Sequence, residues 1–280
     1  MKKAIGGLVA FFLCAGFLPG NSSFSFRINP DENHDPAAIL DFRYIKKVVS
    51  DMGEVTASPL RWRGGDFLRF GAVAAFTTLA FLNDEGIQGG FQDHRRAHPD
   101  MERFFQSATR LGEGPFLLGM MTTLYVGGAA LHEPGLKKTA LVSLESYAIS
   151  SAVVTVLKCA VGRGRPFHSE QGESFRPFTL SNSHHSFPSG HSSAAFAVAA
   201  AITGQTDDLA VGILSYSLAS LVAVSRVYNN KHWTSDVVAG AALGYFVGKM
   251  VVRLNRPRAP DALTLSLAPA PSGFSFSLRF

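Results

Sequence analysis

The chain has 280 residues, 46 % of them hydrophobic and 17 % charged, enough for one well-buried domain and tight for two. Its net charge of +5 suits attraction to anionic lipid or phosphate. The absence of a long Lys/Arg block interleaved with aromatics argues against nucleic acid as a partner. Two cysteines exclude a Cys-rich zinc site.

The N-terminus reads as an export signal. Lys2 and Lys3 precede an apolar run from Ala4 to Leu18, and small residues follow at Gly20, Ser22 and Ser23. Residues 1–22 are therefore expected to be a signal peptide, with an uncleaved anchor as the alternative. Cleavage would leave Cys159 without an intramolecular partner. Residues 23–65 are mixed and polar, with a strand-like alternation at Phe24–Ile28 and a turn-rich break at Asp31–Pro36.

Six apolar segments come next: Phe67–Leu82, Pro115–Leu131, Thr139–Leu157, Ser193–Thr203, Leu209–Val224 and Val237–Val252. Each is long enough for a core helix, so residues 66–258 are expected to form an all-α bundle of about six core helices. Several segments are short for a bilayer. Arg69, Glu145 and Lys249 interrupt them, and the mean hydropathy is only +0.14. These features lead to the expectation of an exported body, on the periplasmic side of a bacterial envelope and associated with the membrane surface. An integral inner-membrane protein with a periplasmic active site is the alternative. Gly240, Gly244 and Gly248 recur every four residues, which puts them on one face where another helix can approach closely. Residues 259–280 alternate on either side of a Pro/Gly turn, the signal of a short C-terminal β-hairpin.

Three clusters carry the chemistry. Lys158 is followed seven residues later by Arg165-Pro166. Pro188-Ser189-Gly190-His191 follows the long polar loop Val161–Pro188. Ser225-Arg226 is followed by His232 and then Asp236. Lys158, Arg165 and Arg226 are three cations at the ends of apolar helices, suited to the oxygens of a phosphoryl group. Ser189 is a natural N-cap, and the free N–H groups of the turn after it bind anions. Gly190 lets the backbone approach a ligand without a Cβ in the way. His191, in that first turn, is placed to protonate a leaving alkoxide. His232 and Asp236 are four apart, so on a helix they share a face. The carboxylate can then hold one ring N–H and leave the other nitrogen free to attack phosphorus.

Taken singly, each cluster has an ordinary explanation as a snorkelling cation, a cap or a surface pair. Together, in this order and spacing, they resemble the type 2 phosphatidic acid phosphatase family, whose pattern is shared with bacterial nonspecific acid phosphatases and vanadium haloperoxidases. The family pattern of Lys-x6-Arg-Pro, Pro-Ser-Gly-His and Ser-Arg-x5-His-x3-Asp is matched without substitution, and the resemblance covers roughly residues 66–253. It implies a helical bundle, hydrolysis of a phosphomonoester or diphosphate through a phosphohistidine, and no metal or cofactor. It implies His232 as nucleophile, His191 as general acid and Asp236 as the partner of His232. Lys158, Arg165, Ser189, Gly190 and Arg226 would hold the phosphate. The expected substrate is a phosphorylated lipid or small phosphoester, with the membrane surface as a partner. A vanadium-dependent haloperoxidase on the same scaffold and a non-enzymatic envelope protein are the alternatives. His184 and His185 could line the pocket mouth, and Glu145 needs a buried partner that the sequence does not name.

Overall fold

A computed structural model describes residues 42–168, 174–206 and 208–256, with the backbone of 264–270 and 273–279. The expected signal peptide, and the strand-like alternation after it, lie outside the described residues. Among the described residues the chain forms nine α-helices: α1 Phe42–Ala57, α2 Gly64–Phe81, α3 Asp84–Ala97, α4 Met101–Arg110, α5 Gly114–Ala130, α6 Pro134–Val161, α7 Gly190–Gln205, α8 Leu209–Tyr228 and α9 Thr234–Leu254. The body is all-α, and each of the six expected apolar segments lies largely within one helix. The expected C-terminal hairpin is not supported as part of this fold. Its two segments, Thr264–Ala270 and Gly273–Arg279, pair only with each other, and an isolated two-stranded ribbon is marginal in water.

Helix α7 is the axis of the bundle, with α6, α8 and α9 packed around it. Its small side chains make this possible: Ala197, Ala200 and Ala201 are wholly buried. The close approach on the α9 side needs glycine. A Cβ on Gly240 would sit 2.4 Å from the Ser189 carbonyl oxygen, and one on Gly244 2.0 Å from that of Ser193. One on Gly248 would lie 2.6 Å from that of Ala197. The Gly-x3-Gly-x3-Gly face of α9 thus lies directly on the α7 backbone, with Ser189 at its upper end. Replacing Gly244 by Ala forces the two backbones apart, since no flexible side chain is there to yield. The expected result is about 1–3 kcal/mol of destabilisation, read as a lowered thermal unfolding midpoint in detergent.

Three helices escaped the sequence reading: α1, α3 and α4 carry too many polar residues to stand out as apolar runs. Helix α1 closes the end of the bundle remote from the motifs. There Lys47 Nζ donates to both Glu145 carboxylate oxygens at 3.1 and 3.2 Å, and Asn255 Nδ2 donates to Glu145 Oε2 at 3.1 Å. These are the partners that the buried Glu145 requires.

Helices α6, α8 and α9 are each long and apolar enough to cross a membrane. The α2–α3 pair, bent by 60°, also passes as a broken span or re-entrant segment. The helices outrun the apolar segments that announce them, because α6 continues through Lys137, Lys138 and Lys158 to reach 28 residues. Leu68, Leu79, Leu118, Val126, Val156, Leu214 and Phe246 stand exposed on the outside of the bundle. Such a belt suits membrane association.

Candidate active site

The three clusters meet at one end of the bundle, where α6 and α8 end and α7 and α9 begin. Helix α6 stops at Gly162, whose φ of +61° is left-handed. Its N–H donates to the Lys158 carbonyl at 2.9 Å. A Cβ there would lie 1.8 Å from the Arg176 carbonyl oxygen, so only glycine fits. The loop that follows folds back over this end. Gly164 N–H donates to Ser174 O (2.7 Å), Arg176 N–H to Gly162 O (2.7 Å), and Ser186 N–H to Arg163 O (3.0 Å).

Lys158 lies in the last turn of α6. Its Nζ donates to the His185 carbonyl at 2.6 Å. Arg165 Nε donates to the Asn182 carbonyl at 3.1 Å. Arg226, in the last turn of α8, is 7 % exposed, and its Nε has no hydrogen-bond partner among the described residues. Among the described residues none of these three cations forms an ion pair. A buried guanidinium without a carboxylate is costly, and an incoming anion is the natural complement.

Ser189 caps α7 as expected. Its Oγ accepts from Ser192 N–H at 3.5 Å and from Ser192 Oγ at 3.0 Å, and its N–H donates to the Asp236 carbonyl at 2.9 Å. The second and third motifs are thereby tied through their backbones. A Cβ on Gly190 would make ordinary contacts, 3.7 Å from Lys158 Cε and from Val154 Cγ1. The fold therefore does not demand glycine at 190. What a side chain would take up is space beside Lys158. His191 occupies the first turn of α7, against the α4–α5 turn, where a Cβ on Gly112 would lie 3.5 Å from the His191 Cβ.

The geometry around His232 corrects the sequence reading. Helix α9 starts only at Thr234, so His232 and Asp236 do not share a helix face. His232 sits in the turn before the helix, 2 % exposed, with its N–H donating to the Arg226 carbonyl at 3.3 Å. Asp236 caps the helix instead, its Oδ2 accepting from Trp233 N–H at 2.9 Å. His232 Nδ1 lies 3.5 Å from both Asp236 Oδ2 and Ser186 Oγ, and Ser186 Oγ donates to that same carboxylate oxygen. Nδ1 thus faces a carboxylate–hydroxyl pair, and Nε2 has no hydrogen-bond partner among the described residues. Burial holds the imidazole well below its ordinary pKa range, reinforced by the charges of Lys158, Arg226, Arg165 and His191. It is neutral at physiological pH, with its lone pair available.

His184 and His185 brace the loop. His184 Nδ1 lies 3.0 Å from Ser183 Oγ, and His185 Nε2 lies 2.9 Å from the Thr179 carbonyl oxygen. Sequence reasoning missed Arg163, which is 1 % exposed and bonded to Asp236 Oδ1 at 2.8 Å. Its only signal is a second arginine two residues before Arg165.

Among the described residues the helical bundle thus holds three cations without ion-pair partners at the same end as a buried histidine, an arrangement suited to an anion. Residues 139–259 match the PAP2 superfamily model. Relatives include three lipid A 1-phosphatases. That of Rhizobium johnstonii is 28 % identical over 201 residues, covering 66 % of this chain and 78 % of the relative. That of Rhizobium etli is 29 % identical over 201 residues, covering 66 % and 82 %. That of Porphyromonas gingivalis is 40 % identical over 67 residues, which span 23 % of this chain and only 15 % of the relative. Among solved structures, Aquifex aeolicus LpxE gives a TM-score of 0.46 at 22 % identity, covering 61 % of this chain and 94 % of that one. A transmembrane PAP2-type phosphatidylglycerolphosphate phosphatase from Bacillus subtilis gives 0.46 at 24 %, covering 64 % and 92 %.

Proposed function

We propose that this protein is a phosphoric ester hydrolase that removes phosphate from a phosphorylated lipid through a phosphohistidine formed on His232, without a metal ion. The observation that carries this reading is the set of three cations, Lys158, Arg165 and Arg226, without ion-pair partners among the described residues, around a buried neutral His232. In the first step His232 Nε2 attacks phosphorus and the bond to the leaving oxygen breaks. His191 delivers a proton to that oxygen. In the second step a water, deprotonated by His191, attacks the phosphohistidine and releases inorganic phosphate. Asp236 and Ser186 at Nδ1 stabilise the charge that the ring acquires. The three cations and the α7 N-terminus stabilise the charge on the equatorial oxygens, the part a metal clamp plays elsewhere. The names of the lipid A 1-phosphatase relatives support a lipid-borne phosphate.

The test is phosphate release from phosphatidate, phosphatidylglycerol phosphate, undecaprenyl diphosphate, a lipid A phosphate and soluble esters. The expected result is turnover of at least one lipid substrate, retained in excess EDTA and inhibited by vanadate. Loss in EDTA that Mg²⁺ restores would overturn the metal-free mechanism.

The exposed apolar belt favours a body held in the membrane by α6, α8 and α9 over one resting on its surface, with the site end facing away from the cytoplasm. Alkaline phosphatase fused within the loop at 169–173 is expected to be active, and fusions after Glu133 and after Asp207 inactive. Activity at all three positions would instead show a wholly exported body.

A further inference from the structure

Asp84 belongs to none of the three motifs, yet it is as deeply buried as the carboxylate that faces the nucleophile, at 1 % exposure. It sits at the break between α2 and α3, the first residue of α3. Its Oδ1 accepts from Ser235 N–H at 2.9 Å, and its Oδ2 accepts from Ser235 Oγ. Its Oδ2 also accepts from Arg163 Nη2 at 2.9 Å. The other arm of the same guanidinium, Nη1, donates to Asp236 Oδ1 at 2.8 Å and to Ser235 Oγ at 2.6 Å. Two buried carboxylates are therefore joined through one arginine, and both also cap the first turn of α9. The guanidinium is held in place by aromatic rings, with the Phe81 centroid at 4.7 Å and that of Trp233 at 5.4 Å.

We propose that Asp84 and Arg163 are positioning residues for phosphoryl transfer, setting the place and the charge of Asp236 so that its second oxygen stays turned to His232. The inference rests on the phosphohistidine reading above. Asp236 has two oxygens with separate duties. Arg163 takes Oδ1, which leaves Oδ2 to Ser186, the Trp233 N–H and the face of His232 Nδ1. Without the arginine, two buried carboxylates would meet with their bridging cation gone. One would take up a proton, and a neutral Asp236 stabilises a charged imidazole ring poorly. Asp84 prevents the converse fault. It holds Nη2 of the guanidinium, so that Arg163 cannot swing both arms onto Asp236 and draw it away from the histidine. Neither residue touches the phosphate, which is held by Lys158, Arg165 and Arg226.

The separation of duties dictates the test. Full-length wild type, Asp84→Asn, Arg163→Lys and Arg163→Met are purified in detergent. Each is assayed for kcat, KM and competitive inhibition by inorganic phosphate on the substrate that wild type turns over fastest. The expected result is a kcat lowered about 10-fold in Asp84→Asn and about 10²–10³-fold in Arg163→Met, consistent with the loss of an electrostatic support to the reacting group. Arg163→Lys, which restores the charge without the fork, should recover part of that loss. KM and the phosphate inhibition constant should stay within about threefold of wild type. If Arg163→Met does not fold, the nearly isosteric Asp84→Asn carries the test. Unchanged kcat in Asp84→Asn, or phosphate inhibition weakened in step with kcat, would overturn the proposal. A wild type that releases no phosphate from any substrate would overturn the phosphatase reading itself, which is a different outcome.

Discussion

Replacing His232 by Ala is expected to abolish phosphate release, by at least about 10⁴-fold in kcat/KM, because the proposed mechanism forms its covalent intermediate on that ring. The structure makes this more than a motif argument. Burial holds the ring neutral, and the cations around it reinforce this. Its Nδ1 faces Asp236 and Ser186. Among the described residues these are the ring's side-chain hydrogen-bonding contacts, so the fold should survive its removal. Near-normal thermal unfolding with no turnover is the expected pair of results. A variant that unfolds at the wild-type temperature yet retains a tenth of the activity would remove His232 from the mechanism.

Arg226→Met is expected to lower kcat/KM by about 10²–10³-fold while leaving stability unchanged or raised. The two effects have one cause. Arg226 is buried at the end of α8, and among the described residues its Nε lacks a hydrogen-bond partner and no carboxylate pairs with it. Folding bears that desolvation, and a methionine of similar shape would relieve it. Transferring phosphate gains the charge when the equatorial oxygens arrive. A third effect follows from the electrostatics. Arg226 is among the charges that hold His232 below its ordinary pKa, so removing it favours the protonated ring. The acid limb of the kcat/KM profile should move to higher pH in the variant. A destabilised variant with an unshifted pH profile would mean that Arg226 serves the fold instead.

The candidate site was more legible in the sequence than the architecture around it. Lys158, Arg165, Ser189, His191, Arg226, His232 and Asp236 stand out because their spacing is fixed along the chain, and the Ser189 cap is local. Gly240, Gly244 and Gly248 were equally legible, since a helix face is a local property. The pairing of His232 with Asp236 was predicted from a helix that does not include His232. The two meet because the Asn229–Trp233 turn folds back on the helix cap, which spacing alone does not specify. Arg163 and Asp84 were invisible for another reason: they meet across 79 positions of sequence, and each looks ordinary where it stands. Helices α1, α3 and α4 went unseen because their apolar residues are spread around polar surfaces. Lys47 on α1, 98 residues from Glu145, supplies the partner that the buried carboxylate called for.

The central claim is that phosphate passes through His232, and trapping the intermediate tests it most directly. The His191→Ala variant is mixed with a labelled aryl phosphate, whose leaving group needs no proton, quenched in alkali and mapped by peptide mass spectrometry. Loss of the group that activates water should slow the second step, so the label should accumulate as an alkali-stable, acid-labile phosphoramidate on His232. Label on any other residue, or label that persists when His232 is also replaced, would contradict the account.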